Sequence, residues 1–385
     1  MDSPFGYSKP VTGRNFYGRR QEVEQLRTVL SEGGSAAVYG PPGCGKMSLV
    51  QETLSQMRVS KVLFKSTEVD LLDVRDFPAF LFRMGEAVAR AYGTTPAEYA
   101  AIVSDCFTGS HIVFDERQYA STDRILSVSG KFDAGDVTAL LEFPYRIAER
   151  RGLRLIVVLK EFQNLTLTDG WVMQLKAMEA IMKRHPTSPQ CSWIMTGSRL
   201  NAMKDIFEHR KYFYRMATPM QLRPIDGKDI TDRILKGFLS SGKVVDRKQI
   251  EKVCRLFRGN IWHINHYISI CDHMSRGYIL DSVLSEALDA LISINRPQFE
   301  GTMADLTVYQ IRLLKAITEG RTRLSSADVI RDYSLNSSAN VKRLKEALTR
   351  KEIITFDSDD NPEIIDPLFE YWVRKYFFHQ AVDFK

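Results

Sequence analysis

One segment, SAAVYGPPGCGKMSLV at residues 35–50, limits most strongly how this chain can fold. SAAVYG has the composition of a short buried strand, GPPGCGK packs three glycines and two prolines into a turn, and KMSLVQETLSQM suits a helix. Strand, glycine-rich loop and helix follow each other in the order that a phosphate-binding loop requires. We therefore predict a nucleotide-binding α/β domain here in preference to a plain surface turn.

The loop matches the pattern G-x-x-x-x-G-K at Gly40, Gly45 and Lys46. Glycines let successive backbone N–H groups converge on one anion, and the start of the next helix adds the positive end of its dipole. The lysine adds a full charge on the β- and γ-phosphates. We predict that the whole loop binds the nucleotide: Gly40, Pro41, Pro42, Gly43, Cys44, Gly45, Lys46, Met47 and Ser48.

Two residues depart from the usual pattern, and both concern the metal. Met47 offers a thioether, a poor ligand for Mg²⁺, where the pattern has a hydroxyl. The apolar strand LIVVLKEF places Lys160 before Glu161, where such enzymes have Asp-Glu. Either the Lys160 ammonium replaces Mg²⁺ and helps to bind ATP or ADP without metal, or the site is unused and the ammonium pairs with Glu161 or another carboxylate or extends to solvent. Mg²⁺ is therefore a doubtful cofactor, no metal ligand is predicted, and hydrolysis is expected to be weak or absent.

The whole chain divides into three parts. Strand candidates at 61–70, 153–162, 191–198 and 220–225 alternate with helices, as in a parallel α/β sheet. Helical patterns follow, then three helices and a hairpin (353–366) in the outline of a winged helix. We predict an α/β P-loop nucleotide-binding domain at 1–225, an all-α lid at 226–298 and a winged-helix domain at 299–385, with a linker at 295–301.

Composition excludes several classes of protein. Hydrophobic residues make up 44% and charged residues 26%, as in ordinary soluble proteins. No apolar run reaches 18 residues and the N-terminus lacks a signal-peptide core, so we expect a cytoplasmic protein without membrane contact. Five scattered cysteines without C-x-x-C disfavour disulfides and structural zinc, and suit small buried side chains. A net charge of +6 permits contact with nucleic acid without demanding it.

Five motifs occur in an order that resembles the archaeal-type ATPases of the AAA+/STAND group of P-loop NTPases. They are NFYGRRQEVEQL (15–26), LRLIVVLKEFQNL (153–165), SWIMTGSRLNAMKDIFEHRKYFYRMAT (192–218), GNIWHINHYI (259–268) and DPLFEYWVRKYF (366–377). The resemblance covers nearly the whole chain. It implies an AAA+-like core with a parallel sheet, followed by an all-α lid and a winged-helix domain.

The resemblance also implies roles for single residues. Gly18 and Arg19 would belong to a box that helps to seat the adenine. Glu161 would be the catalytic base, and the hydroxyls of Thr196 and Ser198 would lie at the tip of a sensor strand, within reach of a γ-phosphate or water. The changes at residues 47 and 160 put hydrolysis in doubt without affecting the fold.

Three arginines and two histidines also carry predictions. An arginine finger would come from Arg199, Arg210 or Arg215, and the alternative for most of them is a solvated basic surface. His263 and His266 lie on a predicted lid helix without clustered Cys, Asp or Glu, so we interpret them as core or groove histidines rather than metal ligands.

The predicted function is a nucleotide-dependent switch. ATP or ADP would fasten the α/β core to the lid, and the winged helix would report closure to an unknown protein partner. One alternative is an active ATPase that recruits Mg²⁺ through another group. A second is a non-enzymatic adaptor or DNA-binding protein with a vestigial site, because the helix predicted at 337–352 carries lysines and arginines that suit duplex DNA, diluted by Glu346 and Glu352.

Overall fold

The computed structural model describes residues 4–185 and 190–382. The chain packs as two compact units. The first, the sheet unit, consists of residues Gln21–Gly40 and Leu49–Leu222. The second, the lid–wing unit, consists of the residues up to Arg20, the loop Pro41–Ser48 and the residues from Arg223 onward. Most of the phosphate loop therefore packs with the C-terminal part of the chain.

The sheet unit alternates strands and helices. Its strands are β1 (Ser35–Tyr39), β2 (Phe64–Asp70), β3 (Ile112–Val113), β4 (Ser127–Val128), β5 (Arg154–Lys160), β6 (Cys191–Gly197) and β7 (Ala217–Gln221). Its helices are α1 (Arg20–Ser31), α2 (Lys46–Val59), α3 (Phe77–Tyr92), α4 (Pro96–Cys106), α5 (Glu116–Thr122), α6 (Ala134–Arg151), α7 (Trp171–Arg184) and α8 (Leu200–Lys204). Helices α1 and α2 begin in residues of the lid–wing unit. The predicted α/β class is confirmed.

Five parallel strands form the main sheet in the order β2-β5-β6-β1-β7. Strands β1 and β6 are buried along their whole length, as continuous apolar runs covered on both faces require. The connection after β1 leads to one edge of the sheet, whereas the connection after β6 leads to the other. The boundary between β1 and β6 is therefore a topological switch point, where α/β proteins bind ligands at the carboxyl ends of their strands.

The last strand lies earlier in the sequence than predicted. The interval 220–225 was expected to form it, but β7 spans Ala217–Gln221. The N–H of Leu222 makes the final bond, to the carbonyl of Tyr39. Pro219 inside β7 is tolerated because β7 is an edge strand, which needs ladder bonds on one side only.

The lid–wing unit contains the remaining helices and a small antiparallel sheet. Its first four helices are α9 (Gly227–Ser240), α10 (Arg247–Leu256), α11 (Ile261–Met274) and α12 (Asp281–Ala304). The wing region follows with α13 (Val308–Thr318), α14 (Ala327–Asp332), α15 (Ser338–Arg350), β8 (Ile354–Phe356), β9 (Pro362–Ile364) and α16 (Pro367–Trp372). This confirms the predicted helical lid and winged helix.

The predicted linker at 295–301 is wrong, because these residues belong to α12. Pro297 lies inside the helix and is exposed, whereas Phe299 and Met303 are buried in the core of the unit. Burial of these two large side chains offsets the roughly 3 kcal/mol that a proline costs inside a helix. The boundary predicted at residue 298 also falls inside α12.

The cysteines and the lengths of the helices bear on two further expectations. All five cysteines are free and buried, as their scattered positions suggested; they are Cys44, Cys106, Cys191, Cys254 and Cys271. In the described residues, no helix combines the length and the apolar character that a membrane crossing needs.

Candidate functional site

The phosphate loop is held through its carbonyl groups. Four successive carbonyls, those of residues 41–44, each accept a hydrogen bond from a group in the lid–wing unit. The pairs are Lys46 Nζ to Pro41 O at 2.9 Å, Asn260 Nδ2 to Pro42 O at 3.1 Å, Trp262 N–H to Gly43 O at 3.2 Å and Arg19 Nη2 to Cys44 O at 2.7 Å. These bonds fix the peptide planes of the loop.

Two glycines give the loop a conformation that other residues would strain. Gly43 has φ +75° and Gly45 has φ +91°, both in the left-handed region. A Cβ atom on Gly43 would also lie 2.5 Å from Cβ of Trp262. Peptide units that alternate between right- and left-handed conformations make concave anion sites from their N–H groups. The loop combines two left-handed glycines with the side chain of Lys46, which is 8% exposed.

A cavity of about 340 Å³ opens beside the loop. Its volume lies in the range of small-molecule sites. The loop contributes Gly43, Gly45, Lys46, Met47 and Ser48, and apolar or aromatic side chains contribute much of the remaining lining, among them Tyr7, Val11, Phe16, Tyr17, Ile225, Ile261 and Trp262. A polar loop beside aromatic walls suits a ligand that joins phosphates to a flat ring.

The predicted adenine-side box packs against this loop and cavity. Arg19 is 2% exposed, lines the cavity and holds the Cys44 carbonyl. Gly18 has φ +74°, and a Cβ atom there would overlap Ile225, which also lines the cavity. The structure therefore brings the box and the loop together, with Arg19 in a supporting role that the sequence did not indicate.

Several site residues were missed by sequence reasoning. Tyr7 lines the cavity and stacks on His266, with ring centroids 4.2 Å apart. Asn260 and Trp262 bind the loop from the start of α11. The only local signal was Asn260 itself, since Asn before an apolar helix is a favoured N-cap; its side chain does accept from the N–H groups of Trp262 and His263.

The two loop residues after the lysine differ in their surroundings. Met47 lines the cavity and has no hydroxyl, so the oxygen that the usual pattern supplies for Mg²⁺ is absent from this position. Ser48 also lines the cavity, and its Oγ accepts a hydrogen bond from the Val11 N–H at 3.1 Å. The Ser48 hydroxyl is therefore oriented by the N-terminal segment.

In the sheet unit, the structure brings Glu161 and Ser198 together. Glu161 follows β5 with φ +55°, and its Oε2 accepts from the Ser198 hydroxyl at 2.5 Å and from the Ser198 N–H at 3.3 Å. Gln163 Nε2 donates to the same oxygen at 2.8 Å, a partner that the sequence did not single out. Thr196 is buried in β6, opposite Val38 of β1.

Lys160 forms an ion pair with a neighbouring strand. Its Nζ lies 2.8 Å from Oδ2 of Asp70, its partner in the β2–β5 register. Burial alone would raise the pKa of Asp70, but the hydrogen bond from Lys160 and the Leu72 N–H outweigh it and lower that pKa below its usual value. Pairing with a nearby carboxylate was the second of the two interpretations of Lys160, and Asp70 is that carboxylate. A role for its ammonium in place of Mg²⁺ stays a prediction.

The candidate arginines and histidines have structural partners. Arg210 pairs with Asp205 at 2.6 Å, and Arg215 lies over the ring of Tyr214. His263 and His266 are both buried, in agreement with core or groove histidines, and His263 Nε2 lies 2.9 Å from Oδ1 of Asp366. Burial and the nearby His263 lower the pKa of His266. No arginine finger is identified by these contacts.

Known proteins resemble this chain in its C-terminal region and in its overall fold. A family model described as a probable winged helix domain matches residues 297–375. No curated protein sequence matches the chain. A Walker-type ATPase of Pyrococcus abyssi, PABY2304, is similar with a TM-score of 0.67 and 16% identity, over 96% of this chain and 99% of that protein.

Two further solved structures resemble the chain. The ORC2 protein of Aeropyrum pernix, in ADPNP–ADP complexes, has a TM-score of 0.57 and 14% identity, over 95% of this chain and 93% of its own. Cdc6p from Pyrobaculum aerophilum has a TM-score of 0.50 and 14% identity, over 95% and 94%. At such identities the likeness concerns the fold. The chain thus has the fold of these proteins, an AAA+-like parallel α/β core followed by a helical lid and a C-terminal winged helix, as the sequence motifs predicted.

Proposed function

We propose that this protein binds ATP or ADP at the cavity beside the phosphate loop and acts as a nucleotide-dependent switch of the STAND type. The observation that carries the proposal is the set of four hydrogen-bonded loop carbonyls, three of them held by groups outside the loop, which presets the loop for an anion. Lys46 supplies the charge for the phosphates, and Arg19 keeps the loop in place. The aromatic lining of the cavity provides a surface on which an adenine ring can stack.

Hydrolysis is proposed to be weak or absent. Mg²⁺ would neutralise charge on the γ-phosphate, but the residues at the two customary ligand positions do not fit this ion. Met47 offers sulfur to a cation that prefers oxygen, and Lys160 offers an ammonium that already pairs with Asp70. Glu161 and Ser198 retain a carboxylate and a hydroxyl for orienting water, but neither replaces a metal ligand by itself.

Nucleotide titration tests the proposal. ADP and ATP are added to the full chain with Mg²⁺ and again with EDTA, and binding is measured by calorimetry. We expect saturable binding in both conditions and at least a tenfold weaker affinity in Lys46→Ala, because the lysine charge is lost. The matched control is Lys65→Ala, an exposed lysine of β2, which should bind as the unchanged protein does. Absence of binding at millimolar nucleotide, with or without metal, refutes the proposal.

The alternative of an active ATPase makes a different prediction. If another group recruits Mg²⁺, steady-state phosphate release will depend on Mg²⁺ and will stop when EDTA is added. A protein that binds nucleotide but releases no phosphate supports the switch instead. Nucleotide bound to the purified protein, detected by native mass spectrometry, would argue against a vestigial site.

Duplex DNA is the alternative to a protein as partner of the winged helix. Lys342 and Arg343 on α15 are exposed and suit phosphate contacts. The wing opposes this, because its exposed acidic residues would repel phosphates; they are Asp357, Asp359, Asp360 and Glu363. We therefore favour a protein partner. Binding to duplex DNA that weakens steeply with salt would support the DNA alternative, and no binding at low salt would remove it.

A further inference from the structure

The first turn of α11 connects two parts of the lid–wing unit. On one side, the Asn260 side chain and the Trp262 N–H bind the phosphate loop at Pro42 and Gly43. The next residue, His263, points to the wing region, where its Nε2 lies 2.9 Å from Oδ1 of Asp366. Neighbouring residues of one helical turn therefore bind the candidate nucleotide site and the start of α16.

Asp366 is well placed to transmit a displacement. Its Oδ1 caps α16 by accepting from the N–H groups of Leu368 at 2.8 Å and Phe369 at 3.3 Å. The His263 side chain is 8% exposed, and its ring stacks on Phe257 with centroids 5.8 Å apart. A packed ring cannot swing freely, so a movement of the α11 turn changes the contact with the cap of α16.

The chain just before α11 makes a second connection to the same region. Arg258 Nη2 donates to the carbonyl of Ile364 at 2.5 Å and lies 3.2 Å from Oε2 of Glu370. Arg258 has φ +47° and Gly259 has φ +67°, and a Cβ atom on Gly259 would lie 2.8 Å from the carbonyl oxygen of Ile225. This turn has little room for adjustment, which favours transmission of a displacement over its absorption.

We propose that His263 and Asp366 are a positioning pair that couples nucleotide occupancy of the phosphate loop to the conformation of the winged helix at α16. The inference rests on the nucleotide site proposed above. Coupling between two sites is reciprocal, so a change that frees α16 weakens nucleotide binding by the same factor by which nucleotide stabilises the α16 contact. Typical couplings correspond to about 5- to 150-fold changes in affinity.

Two substitutions separate the pair from the rest of the fold. Asp366→Asn keeps an oxygen for the α16 cap, since Asn is an equally good N-cap, but removes the charge that faces His263. His263→Phe keeps an aromatic ring against Phe257 and removes the hydrogen bond to Asp366. Asp360→Asn is the matched control. It also removes a carboxylate of the wing region, but that carboxylate pairs with Lys345 and not with a residue of α11.

The measurement combines ADP titration with amide hydrogen exchange of the full chain in EDTA. In the unchanged protein we expect ADP to slow exchange at the Leu368 and Phe369 amides as well as in the loop. In Asp366→Asn and His263→Phe, we expect ADP affinity to fall about fivefold or more and the effect at Leu368 and Phe369 to disappear. Asp360→Asn should behave as the unchanged protein.

The outcomes distinguish this inference from the nucleotide site on which it rests. If ADP binds and protects the loop but leaves Leu368 and Phe369 unaffected, or if the pair variants bind ADP normally, the coupling is overturned and the nucleotide site stands. If the unchanged protein takes up no ADP, the nucleotide site fails. In that case hydrogen exchange measured without ADP is decisive. Faster exchange at the Cys44 and Trp262 amides in Asp366→Asn supports a connection between α16 and the phosphate loop, and unchanged exchange overturns it.

Discussion

At the scale of single residues, the chain keeps the letters of the phosphate-binding pattern and departs from the two letters that usually serve the metal. Gly43 and Gly45 have left-handed backbone conformations, whereas Met47 and Lys160 replace residues that usually offer oxygen ligands. In the usual pattern Mg²⁺ takes a ligand from each of these two positions, so both have to be changed together to examine what the metal contributes. Replacement of Lys160 also removes the partner of Asp70.

The first prediction concerns these two positions. In Met47→Thr combined with Lys160→Asp, Mg²⁺ regains a hydroxyl and a carboxylate ligand, so phosphate release should rise above that of the unchanged protein. The assay is steady-state phosphate release with Mg²⁺ and with EDTA. The triple variant that also carries Glu161→Gln is the control and should lose the gain. No gain in a folded double variant that binds ATP would show that more than the metal ligands is missing.

A second prediction concerns Asp136, which is fully buried. Burial would raise the pKa of this carboxyl, but hydrogen bonds from the N–H groups of His111 and Asp133 and from the His111 ring lower it below its usual value. Asp136→Asn should reduce the free energy of unfolding by about 1–3 kcal/mol at pH 7, because hydrogen bonds to a charged acceptor are lost.

The pH dependence of this difference follows from the direction of the shift. A carboxylate with a lowered pKa stabilises the fold above the pKa of the unfolded state, about 3.9, and loses that contribution as pH falls further. Thermal unfolding of Asp136→Asn and the unchanged protein should therefore differ at pH 7, and the difference should shrink as the pH falls below about 4 toward the lowered pKa of the folded state. Glu300→Gln, at an exposed helical pair, is the control. A difference that is constant with pH would contradict the assignment.

At the scale of secondary structure, an element was predicted correctly where neighbouring residues alone determine it. Strands β1, β5 and β6 were recognisable because a buried parallel strand is a continuous apolar run. The position of β7 and the continuity of α12 were not recognisable, because both depend on packing. The end of β7 is set by the hydrogen bond to Tyr39, and α12 continues because Phe299 and Met303 are buried. A proline in the sequence does not reveal whether tertiary contacts outweigh it.

The continuity of α12 leads to a third prediction. Pro297→Ala should stabilise the protein by about 1–3 kcal/mol, because the helix regains an N–H donor and loses a steric clash, against a smaller entropic loss. The thermal midpoint is the measurement, and Pro219→Ala in the edge strand β7 is the control, where little change is expected. If residues 295–301 were a linker, the alanine would be neutral or destabilising.

At the scale of the whole molecule, the sequence motifs predicted the fold but not the contacts that complete the site. The parallel α/β sheet, the helical lid and the winged helix follow from the order and periodicity of the elements, and the AAA+-like kind of core was implied by the family resemblance. The bonds from Asn260 and Trp262 to the loop join residues more than 200 positions apart, so no local pattern reveals them. The same holds for the Lys160–Asp70 pair, which depends on the register between β2 and β5.

The fourth prediction concerns ligand-dependent stability of the full chain. ADP at 100 times its dissociation constant should stabilise the folded state by about 2.7 kcal/mol, since the unfolded chain has no preformed loop. The thermal midpoint should therefore rise with ADP concentration, and this rise should vanish in Lys46→Ala. Adenosine, which lacks phosphates, is the control ligand and should give a much smaller shift. Equal shifts with adenosine and ADP would contradict a phosphate-centred site.

The burial of every native thiol has a practical consequence. Because Cys44, Cys106, Cys191, Cys254 and Cys271 are all shielded from solvent, brief treatment with a maleimide should leave them largely unmodified. Cysteines introduced at exposed positions such as Ser338 and Lys65 would then carry fluorescent or spin labels selectively. The wild-type background is thus already suited to spectroscopic distance measurements, without prior removal of its own sulfhydryl groups.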